Sequence, residues 1–533
     1  MVLMEAPTIA PPLEILREPS DLRQLRRRGL PDGDGLLPRT TLGWLPFLWR
    51  RVLFPGVSEG SDAWRWRSFL TLALLASVLL LPWMHFPLFE PDEGRYAQIP
   101  WEMLTRGQWI VPTLQGEPYL DKPPLFYWLV MLSYSVFGVH DWAARLAPAL
   151  AVLASVLVTY VLGRQLVGER AAYWGALGLL LAPGFVGTGR MLVLDGLLTL
   201  WVTVSIFAAF LAVQASRLHY GWWLLASAAC GLGVLTKGPV AVLLLVPPLV
   251  AQRWLASGCA SIGQRGWVMF GGIVLLLTAP WYVAVSVCSP EFGGYFFWKH
   301  NILRFLQPFD HERPVWFYVP LLLIGLFPAT LLLPSVTRWM LSNEELVTRR
   351  RCAALGYLLL AGGWCVFFFS MAGSKLPTYI LPALPPLCLA LGVFLTRSAW
   401  QGSRWVKCGA IAAALMILVG HAWLGPAIAW QRSPMNTPPE VLEWCRDPDM
   451  PIYSFPRHVD SIAFYCNRAD LRTFRSKELG ELMAELDKQG RAVVLFAHRN
   501  SLDTLRHNLP PHLKIAEERP LGLCAIAVVE RKK

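Results

Sequence analysis

Ionisable and tyrosine side chains stand out from an otherwise apolar sequence in a few short clusters. The clusters are Glu90-Pro91-Asp92-Glu93-Gly94-Arg95-Tyr96, Tyr119-Leu120-Asp121-Lys122-Pro123-Pro124, Asp195, Thr236-Lys237-Gly238-Pro239, Lys299-His300-Asn301 with Arg304, and Lys375 with Tyr379. Positioned carboxylates suit general base chemistry or a divalent metal ion, whereas groups of lysine and arginine suit a phosphate or pyrophosphate. The combination indicates group transfer from a phosphorylated donor.

The elements that must position these residues are membrane helices. Of the 533 residues, 55% are hydrophobic and only 16% are charged, and the mean hydropathy is +0.43. Apolar runs near the bilayer-spanning length of about 20 residues recur from Ser68 to Trp430. This pattern predicts a polytopic membrane protein and excludes disordered, collagen-like, coiled-coil and disulfide-scaffold classes. The phosphorylated donor would then be a lipid, with its head at one membrane face and its tail between helices.

The net charge of +12 does not indicate a nucleic-acid partner. Lysine and arginine lie mostly in short loops between apolar runs, which is a signal of topology. Four arginines precede the first apolar run and predict a cytoplasmic N-terminus: Arg50, Arg51, Arg65 and Arg67. The ten cysteines are scattered without a CxxC pair, so they predict neither a disulfide framework nor a structural metal.

The spans follow from the apolar runs and from the distribution of charge. The run from Pro124 to Val139 is short, and we interpret it as lying along the interface, because counting it as a span would put the later arginine-rich loops outside. Eleven spans are predicted, near 68–86, 143–163, 171–187, 192–214, 221–236, 238–252, 267–287, 314–335, 353–372, 377–396 and 406–428. The odd number places the first loop, the 288–313 loop, the turn at Ser374 to Pro377 and the C-terminal residues on the outer side.

Three parts of the chain differ in composition. They are a disordered, basic cytoplasmic tail at 1–67, an all-α transmembrane domain at 68–430 with an outer loop at 87–142, and a small soluble α/β domain at 431–533. Strand-like runs of the last part lie at 451–455, 491–497 and 523–530, and a helical pattern lies at 477–489. No motif of this last part is tied to chemistry.

Several ordered motifs together resemble a known family. They are Glu90-Pro91-Asp92-Glu93-Gly94-Arg95-Tyr96-Ala97, Asp121-Lys122-Pro123-Pro124-Leu125-Phe126-Tyr127-Trp128-Leu129, Ala144-Arg145-Leu146-Ala147-Pro148, Leu194-Asp195, Thr236-Lys237-Gly238-Pro239, His300 to Phe305, and Ser374-Lys375-Leu376-Pro377-Thr378-Tyr379. The chain resembles the GT-C glycosyltransferases that use polyprenyl-phosphate sugars. It is similar to the bacterial aminoarabinose (lipid A) transferases and to the protein O-mannosyltransferase group, family 39. The resemblance covers residues 68–400 and implies a GT-C fold with 11–13 transmembrane helices.

The resemblance implies an inverting transfer from a polyprenyl-phosphate sugar to an acceptor hydroxyl on the outer face of the bacterial inner membrane. The sugar would be 4-amino-4-deoxy-L-arabinose or another pentose or hexose, and the acceptor a lipid A-like glycolipid, another glycan or a protein. Asp92 would be the general base, with Asp195 and Glu93 as further catalytic carboxylates. The residues that would hold the donor phosphate or shape its pocket are Lys122, Arg304, Lys375, Tyr379, Arg95 and Tyr96.

The resemblance also marks Asp121 and His300 as positions where a zinc-like divalent ion binds in an aminoarabinose transferase. Asp121 stands where close relatives often have glutamate, which puts the reach of this ligand in question. Two protein ligands make a sparse site. Because lysines and arginine can neutralise a leaving phosphate, no cofactor is required by the expected reaction.

Structural alternatives remain open for several of these residues. Asp92 with Glu93, and Asp195, are also compatible with helix capping, Lys237 with a hairpin tip, His300 with a structural histidine, and Arg145 with a side chain that snorkels at a helix end. Two other functions share this composition: a transporter or lipid flippase, and a surface-polysaccharide ligase or polymerase. Transporters usually show internal repeats and binding residues near the midplane, and neither feature is evident here.

Overall fold

The computed structural model describes residues 62–255, 258–307, 310–433, 435, 439–521 and 524–532. The predicted cytoplasmic tail lies outside the described residues except for its last six positions. These positions already belong to the first helix, which begins at Asp62 rather than at Ser68.

Helices dominate the chain up to Arg432. They are α1 Asp62–Leu80, α2 Asp92–Thr105, α3 Leu125–Phe137, α4 Asp141–Val167, α5 Glu169–Leu180, α6 Pro183–Thr188, α7 Asp195–Val213, α8 Tyr220–Lys237, α9 Val240–Leu255, α10 Gln264–Cys288, α11 Tyr318–Gly325, α12 Leu333–Leu341, α13 Ala353–Met371, α14 Leu384–Arg397, α15 Arg404–Val419 and α16 Gly425–Arg432. Two π-helical segments, Gly294–Leu303 and Gly420–Leu424, and a 3₁₀ segment, Pro377–Ala383, extend or precede these helices.

Within the described residues, seven helices are long and apolar enough to cross a membrane, or eight if the pair Val315–Gly325 and Ala329–Leu341, bent by 101°, counts as one span. This number is lower than the eleven spans predicted. The runs near 171–187 and 314–335 are interrupted at Pro183 and Pro328, where the ring removes a backbone donor. The runs near 221–236 and 238–252 form the shorter or less apolar helices α8 and α9.

The run predicted to lie along the interface forms α3, which has 13 residues. At a rise of about 1.5 Å per residue, this helix is too short for a hydrocarbon core of about 30 Å. Its buried face includes Tyr127, Val130 and Tyr134 and packs with α2 in one hydrophobic cluster. The outer loop is therefore a packed layer, which also contains a small hairpin of Thr113–Leu114 (β1) and Glu117–Pro118 (β2).

Helix α7 lies at the centre of the bundle, and nearly all of its side chains are buried. It packs against α4 and α8. Because Asp195 is the first residue of α7, the position of this carboxylate is fixed by the most buried helix of the described residues.

A five-stranded sheet forms the C-terminal region, as a small α/β domain predicts. The strands are β3 Ile452–Phe455, β4 Arg472–Thr473, β5 Arg491–Phe496, β6 Leu513–Leu521 and β7 Cys524–Arg531, in the spatial order β4-β3-β5-β7-β6. Strand β3 is parallel to β4 and β5, with Tyr453 opposite Val494, whereas β7 is antiparallel to β5 and β6, with Val494 opposite Ala527. The helices of the region are α17 Pro439–Arg446, α18 Asp460–Cys466, α19 Leu479–Gln489 and α20 Asn500–Asn508.

Alternating residues of β5 face two separate apolar layers, because successive strand side chains point to opposite faces. Val493 and Leu495 join the layer that includes α18, and Val494 and Phe496 join the layer with α19 and α20. The three predicted strands and the predicted helix are present. Strands β4 and β6 were not predicted, since both lie at sheet edges and carry charged residues in place of a continuous apolar pattern.

Candidate active site

Asp92 occupies the first position of α2, directly after Pro91. Its side chain is half-buried and makes no hydrogen bond or ion pair with any residue that the structure describes. The N-cap of the helix is Pro91, and no side chain caps this end. The capping alternative for Asp92 is therefore not supported, and its carboxylate is available to a substrate.

Glu93, the next residue, has a different environment. Both Glu93 and Arg145 are completely buried, with Arg145 Nη2 at 2.6 Å from Glu93 Oε2 and Nε at 3.0 Å from Oε1. The backbone amides of Phe89 and Leu192 also donate to this carboxylate, at 2.8 and 2.7 Å. Both oxygens of the Glu93 carboxylate therefore already accept hydrogen bonds from the protein. The structure does not support a catalytic role in which Glu93 faces a substrate.

The remaining donors of Arg145 bind backbone carbonyls of the segment that precedes α2. They reach the oxygens of Met84, Phe86 and Pro87 at 3.0, 2.6 and 3.1 Å. The guanidinium also lies 3.8 Å from the centre of the Phe86 ring. The snorkelling interpretation of Arg145 is therefore wrong, because all its polar atoms are used inside the protein.

Asp195, at the start of α7, makes hydrogen bonds with side chains of two other segments. Its Oδ1 accepts a hydrogen bond from Lys237 Nζ at 2.5 Å, and its Oδ2 accepts one from Thr378 Oγ1 at 3.0 Å. Lys237 Nζ also lies 4.0 Å from the centre of the Tyr379 ring. The N-cap of α7 is Leu194 without a side-chain bond, so Asp195 does not cap its helix. The sequence allowed either a structural or a functional role for Lys237, and the structure places it in this group.

A second cationic group forms between the outer loop and the π-helix Gly294–Leu303. Lys122 Nζ lies 2.6 Å from His300 Nε2, and Arg304 Nη1 lies 3.4 Å from the same nitrogen. Arg304 is held by a bidentate contact of 3.1 Å with each carboxylate oxygen of Asp310, which also accepts from Ser374. Lys122, His300 and Arg304 are therefore brought together, as the motifs predict.

These two groups line one cavity of about 480 Å³. Its polar wall contains Lys122, Lys237, His300, Arg304 and Tyr379. Its apolar wall contains Pro239, Val240, Leu243, Phe297, Ile302, Phe305, Leu306, Phe368, Phe369 and Ala372. A cavity with a cationic wall beside an apolar one suits a phosphate group attached to a hydrocarbon chain.

The cations of this cavity repel each other. Burial, with the nearby charges of Lys237 and Arg304, lowers the pKa of Lys122 to about 7. Burial and the charge of Lys122 lower the pKa of His300 to about 3, so the imidazole is neutral. An anion between these side chains would remove the repulsion, which makes the cavity complementary to a phosphate.

The cavity is less suited to a divalent metal ion. Asp121 accepts a hydrogen bond from the Tyr295 hydroxyl at 2.7 Å, and His300 Nε2 already faces Lys122. Among the described residues, no group of three His, Cys, Asp or Glu side chains could hold a metal ion. Asp121 and His300 would therefore supply two protein ligands to such an ion, and both already contact other side chains.

Arg95 and Tyr96 lie one turn after Asp92 on α2. Arg95 Nη1 donates to the Tyr119 hydroxyl at 3.4 Å, and the Tyr96 ring packs against Phe126 at 6.2 Å. Burial raises the pKa of Tyr96, and the negative charges of Asp92 and Asp195 add to this effect. Tyr96 therefore lies within electrostatic range of both carboxylates.

Lys375 is not part of the cavity wall. Its ammonium donates to the carbonyl oxygens of Ala372 and Arg313, and the residue is 4% exposed. Ala372 follows the last residue of α13, so the lysine neutralises carbonyls at a helix C-terminus. This use of the amine explains why the structure separates Lys375 from the predicted phosphate-binding residues.

Comparisons with known proteins concern the fold and the sequence family of this chain. The sequence model of the family described as dolichyl-phosphate-mannose-protein mannosyltransferase matches residues 121–284. ArnT from Cupriavidus metallidurans, in its crystal structure bound to undecaprenyl phosphate, superposes with a TM-score of 0.69 at 22% identity, over 88% of this chain and 98% of that chain. The fold and the cation-lined cavity define a multi-span membrane protein of the GT-C class.

Curated relatives show to which family of proteins the chain belongs. The undecaprenyl phosphate-alpha-4-amino-4-deoxy-L-arabinose arabinosyl transferase of Pseudomonas aeruginosa is 33% identical over 435 residues, which are 73% of this chain and 76% of that protein. The chain belongs to this family of transferases, which confirms the resemblance in the motifs. The transferase of Erwinia tasmaniensis is 36% identical over 365 residues, and the chain spans 63% of that relative's length.

Proposed function

We propose that this protein transfers a sugar from an undecaprenyl-phosphate carrier to a hydroxyl group of an acceptor, with inversion at the anomeric carbon. The observation that carries the proposal is the cavity in which Lys122, Lys237 and Arg304 stand beside an apolar wall. The cations match a phosphate diester, and the apolar wall matches the first isoprene units of its lipid.

The reaction requires one base and one group of cations. The acceptor oxygen attacks the anomeric carbon while Asp92 takes its proton, and the bond from that carbon to the phosphate oxygen breaks. The electron pair of this bond remains on the phosphate, where Lys122, Lys237 and Arg304 stabilise the added charge. Since these cations neutralise the leaving group, the proposed step uses no metal ion.

Asp195 has a supporting part in this proposal. Its contacts with Lys237 and Thr378 keep the lysine against the Tyr379 ring at the cavity wall. The pairing also orients Lys237 before the donor enters. Lys122 is oriented in the same way by His300, whose neutral ring accepts the bond from the ammonium.

The proposed sugar rests on the relatives, and the proposed acceptor rests on the resemblance in the motifs. The names of these relatives specify 4-amino-4-deoxy-L-arabinose carried on undecaprenyl phosphate. We therefore propose this aminosugar as the group transferred and a lipid A-like glycolipid as the acceptor. The protein would lie in the inner membrane, with its N-terminus in the cytoplasm and with Asp92 and the C-terminal sheet on the periplasmic side.

The test is transfer by purified protein in lipid nanodiscs, with undecaprenyl-phosphate aminoarabinose and lipid A, followed by mass spectrometry. Asp92→Asn should reduce transfer by about 100-fold or more and should retain binding of undecaprenyl phosphate. Glu117→Gln, which changes an exposed carboxylate of the same outer loop, is the matched control. Unaltered transfer by Asp92→Asn contradicts the base assignment, and movement of the lipid without covalent transfer favours a flippase.

A further inference from the structure

The C-terminal region contacts α2 beside Asp92. Glu90 Oε1, two residues before Asp92, accepts a hydrogen bond of 2.6 Å from the backbone amide of Ser461 in α18. Gly94, two residues after Asp92, faces the same amide: a Cβ at this position would lie 2.6 Å from Ser461 N and 2.9 Å from Glu90 Oε1. The backbones approach so closely that only glycine fits.

Further bonds extend this contact along α2. Gln98 Nε2 donates to the carbonyl oxygen of Arg468 at 2.7 Å. Gln115, in the turn of the outer hairpin, donates to Asp460 Oδ1 at 3.3 Å and accepts from the Leu471 amide at 3.2 Å. The C-terminal region therefore holds the first two turns of the helix that begins with Asp92.

Polar atoms in this contact are left without partners among the described residues. Glu90 Oε2, Asp460 Oδ2 and Ser461 Oγ are all shielded from solvent and unbonded. Glu90 and Asp460 flank the Gly94 position, with Asp460 C at 3.2 Å from a Cβ built there. One proton on Glu90 would supply a donor between two carboxyl groups that otherwise repel each other.

The electrostatics agree with a protonated Glu90. Burial and the charge of Asp460 raise the pKa of Glu90 to about 8, and burial also raises the pKa of Asp460. The other titratable or charged groups that face this pair are Arg95 on α2, His458 before α18, and Cys524 on β7.

We propose that Glu90 is a positioning residue for Asp92, and that the C-terminal region completes the active site by holding Glu90 through the Ser461 amide. The inference rests on the proposed function of Asp92 as the base. Asp92 makes no hydrogen bond or ion pair within the part of the chain that the structure describes, so its location depends on the residues that flank it. A displacement of about 1 Å of a reacting group can reduce a rate about 100-fold.

The experiment compares Glu90→Ala, Glu90→Gln and the control Glu117→Ala in the transfer assay. Glu90→Ala should reduce kcat between about tenfold and 100-fold, while the KM for the donor and the binding of undecaprenyl phosphate stay unchanged, because the cavity cations are untouched. Glu90→Gln should restore kcat at pH 7 to within about fivefold of the unmodified protein, since its amide oxygen still accepts from Ser461.

The pH profile separates positioning from general stability. The unmodified protein should lose kcat as pH rises through about 8, where Glu90 ionises beside Asp460. Glu90→Gln should remove that loss. Equal kcat for Glu90→Ala and Glu117→Ala at every pH overturns the inference, and so does a Glu90→Gln profile that falls like that of the unmodified protein.

The two proposals can fail separately. If the unmodified protein transfers no sugar, the proposed function is wrong. Hydrogen exchange of the α2 amides then still tests whether Glu90 positions this helix. Faster exchange in Glu90→Ala than in Glu117→Ala supports the inference, and equal exchange refutes it. If Glu90→Ala does not fold, the pH profile of kcat for Glu90→Gln tests the inference instead, by the outcomes given above.

Discussion

Two acidic residues flank Asp92, and the protein holds them by different means. Glu93 faces the membrane helices, where the guanidinium of Arg145 and two backbone amides fill its carboxylate. Glu90 faces the C-terminal region, where one of its oxygens accepts from Ser461 and the other has no partner among the described residues. The first contact joins a carboxylate to a guanidinium and two amides, and the second joins a carboxyl group to one amide beside a second acidic side chain, Asp460.

The comparison shows how Asp92, the proposed base, can be held from two sides by contacts of different strength. A buried ion pair is costly to form, but removal of one partner leaves an uncompensated charge and destabilises a protein by about 3–5 kcal/mol. Loss of a hydrogen bond between a carboxyl group and an amide changes stability by about 1–3 kcal/mol. We therefore expect the Arg145 contact to determine folding and the Glu90 contact to adjust the position of Asp92.

The largest effect is expected from Arg145→Met, which leaves the Glu93 carboxylate buried without a cation. The variant should lose about 3–5 kcal/mol of stability, measured by thermal unfolding in detergent. Arg164→Met, a change of the same kind near the other end of α4, is the control. Addition of Glu93→Gln to Arg145→Met should recover part of the loss, and a double variant less stable than Arg145→Met contradicts the assigned pair.

Gly94→Ala should break the other contact with a smaller effect. The added Cβ would lie 2.6 Å from the Ser461 nitrogen, where backbone has to move. We expect a loss of about 1–3 kcal/mol together with a fall in transfer. Gly480→Ala is the control, because nothing lies within 4 Å of its Cβ on α19, and there alanine should be neutral or stabilising. Equal behaviour of the two variants would show that α18 does not press on α2.

Some of this arrangement could be predicted from the sequence. Lys122, Tyr379 and the pair of His300 with Arg304 lie in three separate motifs, and the structure brings all four residues to one cavity wall. The short length of α3 could also be predicted from its apolar run, whereas its interfacial position stays a prediction. The catalytic roles of Asp92 and Asp195 stay predictions.

Other features depend on partners that are distant in sequence. Asp92 and Glu93 are neighbours, yet Glu93 binds Arg145, 52 positions away, and the Leu192 amide, 99 positions away, whereas Asp92 binds neither. Lys237 remained undecided because its partner Asp195 is 42 positions away. The C-terminal region carried no recognisable motif, since its contribution to Glu90 is a backbone amide 371 positions along the chain, and any residue type except proline supplies one.

The smallest effect is expected in the pH dependence of hydrogen exchange at two backbone amides, which compares the two contacts most directly. The Ser461 amide is bonded to Glu90, and the Leu192 amide is bonded to Glu93. A carboxyl group whose pKa is higher in the folded protein than the value of about 4.3 for a free glutamate stabilises the fold at low pH, and this stabilisation is lost as pH rises through the folded value. For Glu90 the loss ends near pH 8. Hydrogen exchange at Ser461, corrected for its intrinsic pH dependence, should therefore accelerate between about pH 5 and pH 8 relative to exchange at Leu192. Glu90→Gln should abolish the difference, whereas parallel acceleration of both amides would mean that the whole outer layer loosens and that the two contacts do not differ.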